Sequence, residues 1–278
     1  MNPCTKGIKT TFTKLFSGGI LGELVFVKLG GSLITLKSAQ FTSQPGVIAR
    51  LAEELKRASD EGISLLIGHG GGSFPHVSAE KYKTAEGMIG EKSARGFCEV
   101  QNDASKLNRI IVQAMLDAGL NAVSVQPSAS AIASNGKIVD WNTQVMEKLL
   151  SLGITPMPFG DVALDLEKGC CIISTEEQLA FLCEKLKPAR LVAAGKVDGV
   201  LDGENKVIER ITAQNFEEVK SLLKGSDATD VTGGMLHKVE VLVELAGKGV
   251  KSRIINGMAP DRLRKAVLGE EVLGTVVG

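Results

Sequence analysis

Residues 63–76 read ISLLIGHGGGSFPH, and the rest of the chain is organised around them. The first five form an apolar run with the length and β-branching of a buried strand. The run breaks into Gly68, Gly70, Gly71 and Gly72. Glycines after a strand let the backbone turn tightly and leave its N–H groups uncovered by side chains. Such N–H groups, pointing one way, bind anions. Ser73 adds a hydroxyl suited to capping a following helix, and His76 is an imidazole within reach of a group held in the loop. A single turn of this kind is more often structural than functional. A second one, Gly30-Gly31-Ser32 after another apolar run, tips the reading toward a pair of anion-binding loops.

The chain has 278 residues, enough for one large α/β domain or two. Lys plus Arg and Asp plus Glu number 32 each, so no global basic bias argues for nucleic acid. Anion binding then falls to local clusters. The five cysteines, Cys4, Cys98, Cys170, Cys171 and Cys183, contain no C-x-x-C pair. An odd count in mostly apolar contexts fits a reducing, cytoplasmic interior. No run of 18 apolar residues occurs, so no membrane span is expected. Residues 1–22 carry Lys6, Lys9 and Lys14 without the apolar core of a secretory signal. They are expected to be an N-terminal extension to a single domain over 23–278.

Along the chain, 24–29 (LVFVKL) reads as a first strand with Lys28 inside it. A lysine interrupting a buried strand is costly unless its ammonium reaches a partner. Residues 47–61 have helical periodicity, with Val47, Leu51, Leu55 and Ala58 on one face. The stretch 77–115 reads as long, polar and helical. Further strands are expected at 121–126, 137–140, 154–159, 171–173, 190–194, 252–256 and 274–277. Further helices are expected at 143–152, 175–186, 215–224, 236–248 and 260–268. Strand and helix alternate, which predicts an α/β fold: a three-layer sandwich around an open, mostly parallel sheet. Ligands of such sheets gather at the carboxyl ends of strands. The glycine turns near 30, 70, 160, 195 and 257 fall there, and the loop near 233 can join them.

Several standard fingerprints are missing. There is no G-x-x-x-x-G-K-[ST] and no G-x-G-x-x-G. Gly71-Gly72-Ser73-Phe74-Pro75 is not a nucleophile elbow. The three histidines, 69, 76 and 237, make no paired-His metal motif. What remains is several anion-binding turns with Lys28, Lys37 and Lys238 near them. That combination suits phosphoryl transfer, whose transition state needs positioned amides and cations.

The segments VKLGGSLIT, GHGGGSF-x-H, QPSA, FGDVALD, VDGV, TDVTGGM and INGMAPDRLRKAVLGEEVLGT occur in this order. Together they resemble the amino-acid kinase superfamily and, within it, the isopentenyl phosphate kinases. The resemblance spans about 24–277, and the His closing GGGSF-x-H is similar to that group's hallmark. It implies ATP-dependent phosphorylation of isopentenyl phosphate, with Mg²⁺ carried by ATP. It implies Lys28, His76 and Lys238 as catalytic residues, and Lys37, Gly70, Gly71, His76 and Gly160 on the acceptor. It places Lys28, Gly30, Gly31, Ser32, Gly72, Asp198, Gly199, Gly233 and Lys238 on ATP. The N-terminal part would bind the acceptor and about 160–278 the nucleotide, in a homodimer. An apolar slot for the acceptor is expected between the helical region 77–115 and the sheet.

The chemistry of the acceptor agrees with this reading. A phosphate monoester loses its second proton near pH 6, so at neutral pH it is already a nucleophile and needs no general base. Four departures from the family pattern stand out. Pro75 replaces the glycine before His76. Ser174-Thr175-Glu176-Glu177-Gln178 is one residue longer than S-G-D-Q. Lys196 stands where an acid is usual, and His237 precedes Lys238 where glycine is common. Two other readings stay open: a kinase for another small phosphate or phosphonate, similar to fosfomycin kinases, and a non-catalytic nucleotide-binding relative.

Overall fold

The structure is a computed structural model that describes residues 19–225 and 232–278. Most of the 1–22 extension, and Asp230-Val231 of the TDVTGGM segment, lie outside the described residues. Strand β1 (Glu23–Leu29) is followed by one helical turn, α1 (Gly31–Ile34), and by helix α2 (Pro45–Asp60). Strand β2 (Ile63–His69) leads to α3 (His76–Tyr82) and the long α4 (Ser93–Asp117). Then come β3 (Ala122–Ser124), β4 (Ile132–Ser134), β5 (Lys137–Asp140), α5 (Gln144–Ser151), β6 (Thr155–Met157), β7 (Asp161–Asp165), β8 (Gly169–Ile173) and α6 (Thr175–Leu186). The last part holds β9 (Arg190–Gly195), β10 (Arg210–Ile211), α7 (Phe216–Gly225), α8 (Thr232–Gly247), β11 (Lys251–Asn256), α9 (Arg262–Leu268) and β12 (Thr275–Val277).

The central sheet runs β10-β12-β11-β9-β1-β2. Strands β2, β1, β9 and β11 are mutually parallel, β12 follows antiparallel to β11, and the two-residue β10 pairs parallel to β12 at that edge. Beyond β2 a parallel bridge, His69 to Phe159, continues toward the β6–β3 pair. Because strand side chains alternate, β1 serves two cores. Phe26 joins Leu66, Leu179 and Leu182 of α6, and Leu242 of α8 on one face. Val25 and Val27 join Leu51 and Leu55 of α2, Leu107 and Ile111 of α4, and Leu263 of α9 on the other. These are the three layers expected from the sequence. Lys28 falls on the face of Phe26, at the carboxyl end of its strand.

Helix α6 begins where a cap predicts it. The Ser174 hydroxyl accepts the Glu177 N–H (3.1 Å), and Glu176 and Glu177 stand in the first turn. Two expectations change. The single helix over 77–115 is broken: α3 ends on Lys83 in a left-handed conformation (φ 53°), and Gly87 (φ 100°) turns the chain again before α4. A second sheet, β5-β4-β7-β8, also forms, adding strands over 132–134 and 161–165, where none was expected, to the expected 137–140 and 171–173. Asp165 binds its two hairpins together, accepting N–H bonds from Asn135 (3.1 Å), Gly136 (2.7 Å), Glu167 (2.9 Å) and Lys168 (3.0 Å). Burial alone would raise its pKa, but these donors hold the carboxyl well below the usual range.

Candidate active site

Parallel strands end together, so the turns after β1, β2, β9 and β11 meet at one edge of the sheet, beside the turn that follows β6. Backbone bonds stitch them: Gly30 N–H to Ala194 O (2.8 Å), Gly70 N–H to Leu29 O (3.0 Å), Gly160 N–H to His69 O (2.9 Å) and Gly257 N–H to Gly195 O (2.8 Å). The two glycine turns are in contact. A Cβ on Gly31 would sit 2.5 Å from Gly72 N, and one on Gly70 3.0 Å from Gly31 N. Gly72 also has φ +54° and faces Thr35 Oγ1, so no side chain fits there. The Thr35 hydroxyl clamps the pair, donating to Gly31 O (2.8 Å) and accepting from Ser73 N–H (3.0 Å). The N–H groups of Gly31, Ser32, Gly71 and Gly72 donate to no protein acceptor among the described residues. Uncommitted amides converging at a turn are what an anion needs.

Ser73 does not cap the next helix. The residue before α3 is Pro75, which makes no side-chain cap, and the Ser73 hydroxyl is buried without a hydrogen-bond partner among the described residues. Pro75 packs its ring on Gly71, where a Cβ would meet its Cγ at 2.4 Å. The proline thus leans on the turn, and His76 opens α3 exposed at the same edge. His76 makes no hydrogen bond to protein among the described residues, and it is exposed. Gly160 adjoins the same turn, since a Cβ on it would lie 3.5 Å from Gly71 N.

On the other face of β1, Lys28 Nζ lies 2.7 Å from Glu176 Oε1, with both side chains largely buried. The lysine that interrupted an apolar strand therefore has its partner, from the first turn of α6. Burial alone would raise the Glu176 pKa, but the Lys28 ammonium outweighs it and holds the carboxyl at about 2. Lys238 of α8 lines the same crevice, with Leu179, Leu191 and Val241. The crevice is about 10 Å³, room for one water at most. Desolvation, then repulsion from Lys28, lowers the Lys238 pKa to about 8, and Glu176 offsets part of this. Two cations and one carboxylate leave one net positive charge pressed into an apolar corner.

The remaining residues named from sequence are placed as follows. Lys37 is exposed on the loop after α1, whose Phe41 stacks edge-on against Phe74 (5.5 Å). Asp198 follows β9, bonded to Arg262 of α9 and to Asn256 (3.3 Å). Gly199 is pressed against Thr275 and Val207, where a Cβ would lie 2.6 and 2.8 Å away. That contact gives this glycine a packing reason. Gly233 is in the first turn of α8, which carries Lys238.

The partnership of Glu176 with Lys28 was not readable from the sequence. The signal was a lysine needing a counter-charge, together with an acid in the first turn of a helix that starts at the same edge. Two further groups stand out only in the structure. His69, with no exposed surface, presents its ring nitrogens to Asn108 and to the Gly70 carbonyl. Asp161, beside Gly160, accepts the Ser128 N–H (3.1 Å) through Oδ2, while its Oδ1 is buried without a hydrogen-bond partner among the described residues. Burial raises its pKa to about 6.

Comparison with known proteins agrees with this geometry. Residues 23–256 match the model of the amino acid kinase family. Isopentenyl phosphate kinase of Methanothermobacter thermautotrophicus is 36% identical over 267 residues, covering 91% of this chain and 98% of that protein. The enzyme of the same name from Methanocaldococcus jannaschii is 34% identical, with the same coverage of each chain. A solved structure of isopentenyl phosphate kinase superposes with a TM-score of 0.78 at 32% identity, over 92% of this chain and all of that one. With sequence, fold and relatives in agreement, the chain belongs to the amino acid kinase family and, within it, to the isopentenyl phosphate kinases.

Proposed function

We propose that this chain transfers the γ-phosphoryl group of ATP to isopentenyl phosphate, giving isopentenyl diphosphate. The observation that carries this reading is the lodging of Lys28 and Glu176 beside two touching glycine turns in which the Gly31, Ser32, Gly71 and Gly72 amides donate to no protein acceptor among the described residues. Phosphoryl transfer asks for positioned cations and amides and little covalent help. The one carboxylate in the crevice, Glu176, is held at about 2 by Lys28 and is a poor base. That suits an acceptor whose phosphate is itself the nucleophile.

The roles divide along the geometry. Gly31 and Ser32 offer their amides to the ATP phosphates, with Gly72, Gly233 and Lys238, while Gly30, its N–H committed to Ala194 O (2.8 Å), shapes the turn. The turn with Asp198 and Gly199 lies on the nucleotide side, within about 160–278. The Gly71 amide meets the acceptor phosphate, with His76 and Lys37 as further donors, while Gly70 and Gly160, their N–H groups committed to Leu29 O (3.0 Å) and His69 O (2.9 Å), shape its seat. Lys28 meets the group in flight, and Glu176 orients it. The apolar end of the acceptor runs along α3 and toward α4, where Val77, Met88 and Ile89 are exposed. No group of three or more His, Cys, Asp or Glu among the described residues suits a metal ion. Mg²⁺ would arrive with ATP, held by the nucleotide's phosphates, and would supply positive charge there. No helix among the described residues is long and apolar enough to cross a membrane. The family resemblance extends the proposal to a cytoplasmic homodimer.

A coupled ADP-release assay with isopentenyl phosphate tests the reading. Saturable, acceptor-dependent turnover is expected. Turnover confined to another small phosphate or phosphonate would reassign the acceptor, and ATP binding without any turnover would overturn the kinase reading.

A further inference from the structure

We infer that His69 is a positioning residue: with its proton on Nδ1, it holds the Gly70 carbonyl and so aims the Gly71 and Gly72 amides into the site. Its Nδ1 lies 3.2 Å from Gly70 O. A carbonyl only accepts, so Nδ1 carries the proton. Its Nε2 lies 3.0 Å from Asn108 Nδ2 on α4. The amide NH₂ only donates, so Nε2 is bare. Turning the amide over would put a proton on Nε2 and leave an unprotonated Nδ1 against a carbonyl lone pair. The two contacts therefore fix the tautomer together, and they exclude an imidazolium, which would set N–H against N–H. Burial independently lowers the pKa of this ring to about 4.

The ring has no freedom to do otherwise. It is fully buried and stacks on Phe159, centroids 5.7 Å apart at 10°. The backbone of the same residue serves two more turns: its carbonyl accepts from Thr175 Oγ1 (2.7 Å) and Gly160 N–H (2.9 Å). Thr175 immediately precedes Glu176, the partner of Lys28. His69 thus stands where the acceptor turn, the 160 turn and the start of α6 join. Through Asn108 it is also tied to α4, the helix proposed to lie near the acceptor tail. A phosphate loop of consecutive glycines has little intrinsic stiffness, and a misplacement of about 1 Å can cost about 100-fold in rate. An internal donor that fixes the first carbonyl of the loop supplies the missing rigidity.

Two variants separate positioning from packing. His69→Phe keeps the ring and the stack but removes the donor to Gly70. His69→Asn loses the ring but keeps an N–H donor in the place of Nδ1. With both proteins folded by circular dichroism, positioning predicts that Phe lowers kcat/KM for isopentenyl phosphate by about 10- to 100-fold, with KM for ATP little changed. It predicts that Asn recovers much of that loss. Full activity in Phe and low activity in Asn would show a packing role alone and overturn the inference. The activity arm rests on the kinase reading, so a second measurement stands apart from it. In ¹⁵N-edited NMR of the wild type, assigned by loss of the signal in the variants, the His69 ring should show a protonated Nδ1 and a bare Nε2. The pattern should be unchanged between about pH 5.5 and 8.5. A ring that titrates in this range, or one protonated on Nε2, would contradict the assignment whether or not isopentenyl phosphate is the acceptor.

Discussion

The corner at Lys28 and the turn at 70–76 share one edge of the sheet, yet they are built of different materials. At the corner the charges are formal, buried and tied to each other: Lys28 to Glu176 at 2.7 Å, with Lys238 crowded beside them. At the turn the donors are neutral amides, and the one ionisable group, His76, is exposed and unpartnered by protein among the described residues. Buried, paired charges cannot reorganise cheaply, and they act most strongly on charge that develops in a dry place. Amides and an exposed imidazole hold an anion that is already present. In the proposed reaction, transition-state work falls to the corner and ground-state binding to the turn.

Removing one element from each side should break the molecule differently. Lys28→Ala carries the largest effect: kcat should fall by about 1,000-fold, while acceptor binding measured by calorimetry stays within about threefold. An equal loss of binding would erase the distinction between the two sides. His76→Ala should act the other way. KM for isopentenyl phosphate should rise by about 10- to 100-fold, the cost of a charge-assisted hydrogen bond of ~1.5–3 kcal/mol. KM for ATP should hold, and unchanged acceptor kinetics would remove His76 from the site.

Proton chemistry sharpens the same contrast. Lys238 titrates near 8 in the free protein, so kcat/KM for ATP, which reports the free enzyme, should decline as pH rises through that value. Glu176 raises the Lys238 pKa, so Glu176→Gln should move the decline to lower pH. Lys238→Arg should abolish it, and an alkaline limb that survives in Lys238→Arg belongs to another group. The smallest effect is in stability. Asp161 has a folded pKa of about 6 against an ordinary value of 3.8. The folded state therefore binds this proton more tightly, so the contribution of Asp161 to stability is fullest below about pH 4 and is lost as pH climbs through 6. The whole swing is about 3 kcal/mol, at ~1.4 kcal/mol for each tenfold difference in proton affinity between the folded and unfolded chains. Asp161→Asn should flatten that part of the melting-temperature profile, and a variant as pH-sensitive as the wild type would rule out Asp161 as its source.

What was legible in the sequence was local. Helix α6 falls on the predicted 175–186 because a serine cap and two first-turn acids mark its start. Strand β1 declares itself by apolar residues on both faces, and Lys28 by interrupting them. The glycine turns lie at the predicted strand ends because parallel topology leaves them nowhere else. What failed to show was set by distant partners. The break after α3 rests on Lys83 in a left-handed conformation, which nothing in the 77–115 periodicity marks. The second sheet depends on Asp165 gathering four N–H groups from two hairpins, an arrangement that exists only once they meet. His69 read as one imidazole among three. Its meaning lies in Asn108, 39 residues away, and in a neighbouring carbonyl.

The most direct test is a crystal structure with a non-hydrolysable ATP analogue and isopentenyl phosphate bound together. The account predicts the terminal nucleotide phosphate on the amides of Gly31 and Ser32, the acceptor phosphate in the Gly70-Gly71 turn beside His76, and the Lys28 ammonium between the two. An acceptor phosphate seated away from the 70–76 turn, or a Lys28 that contacts neither phosphate, would contradict it.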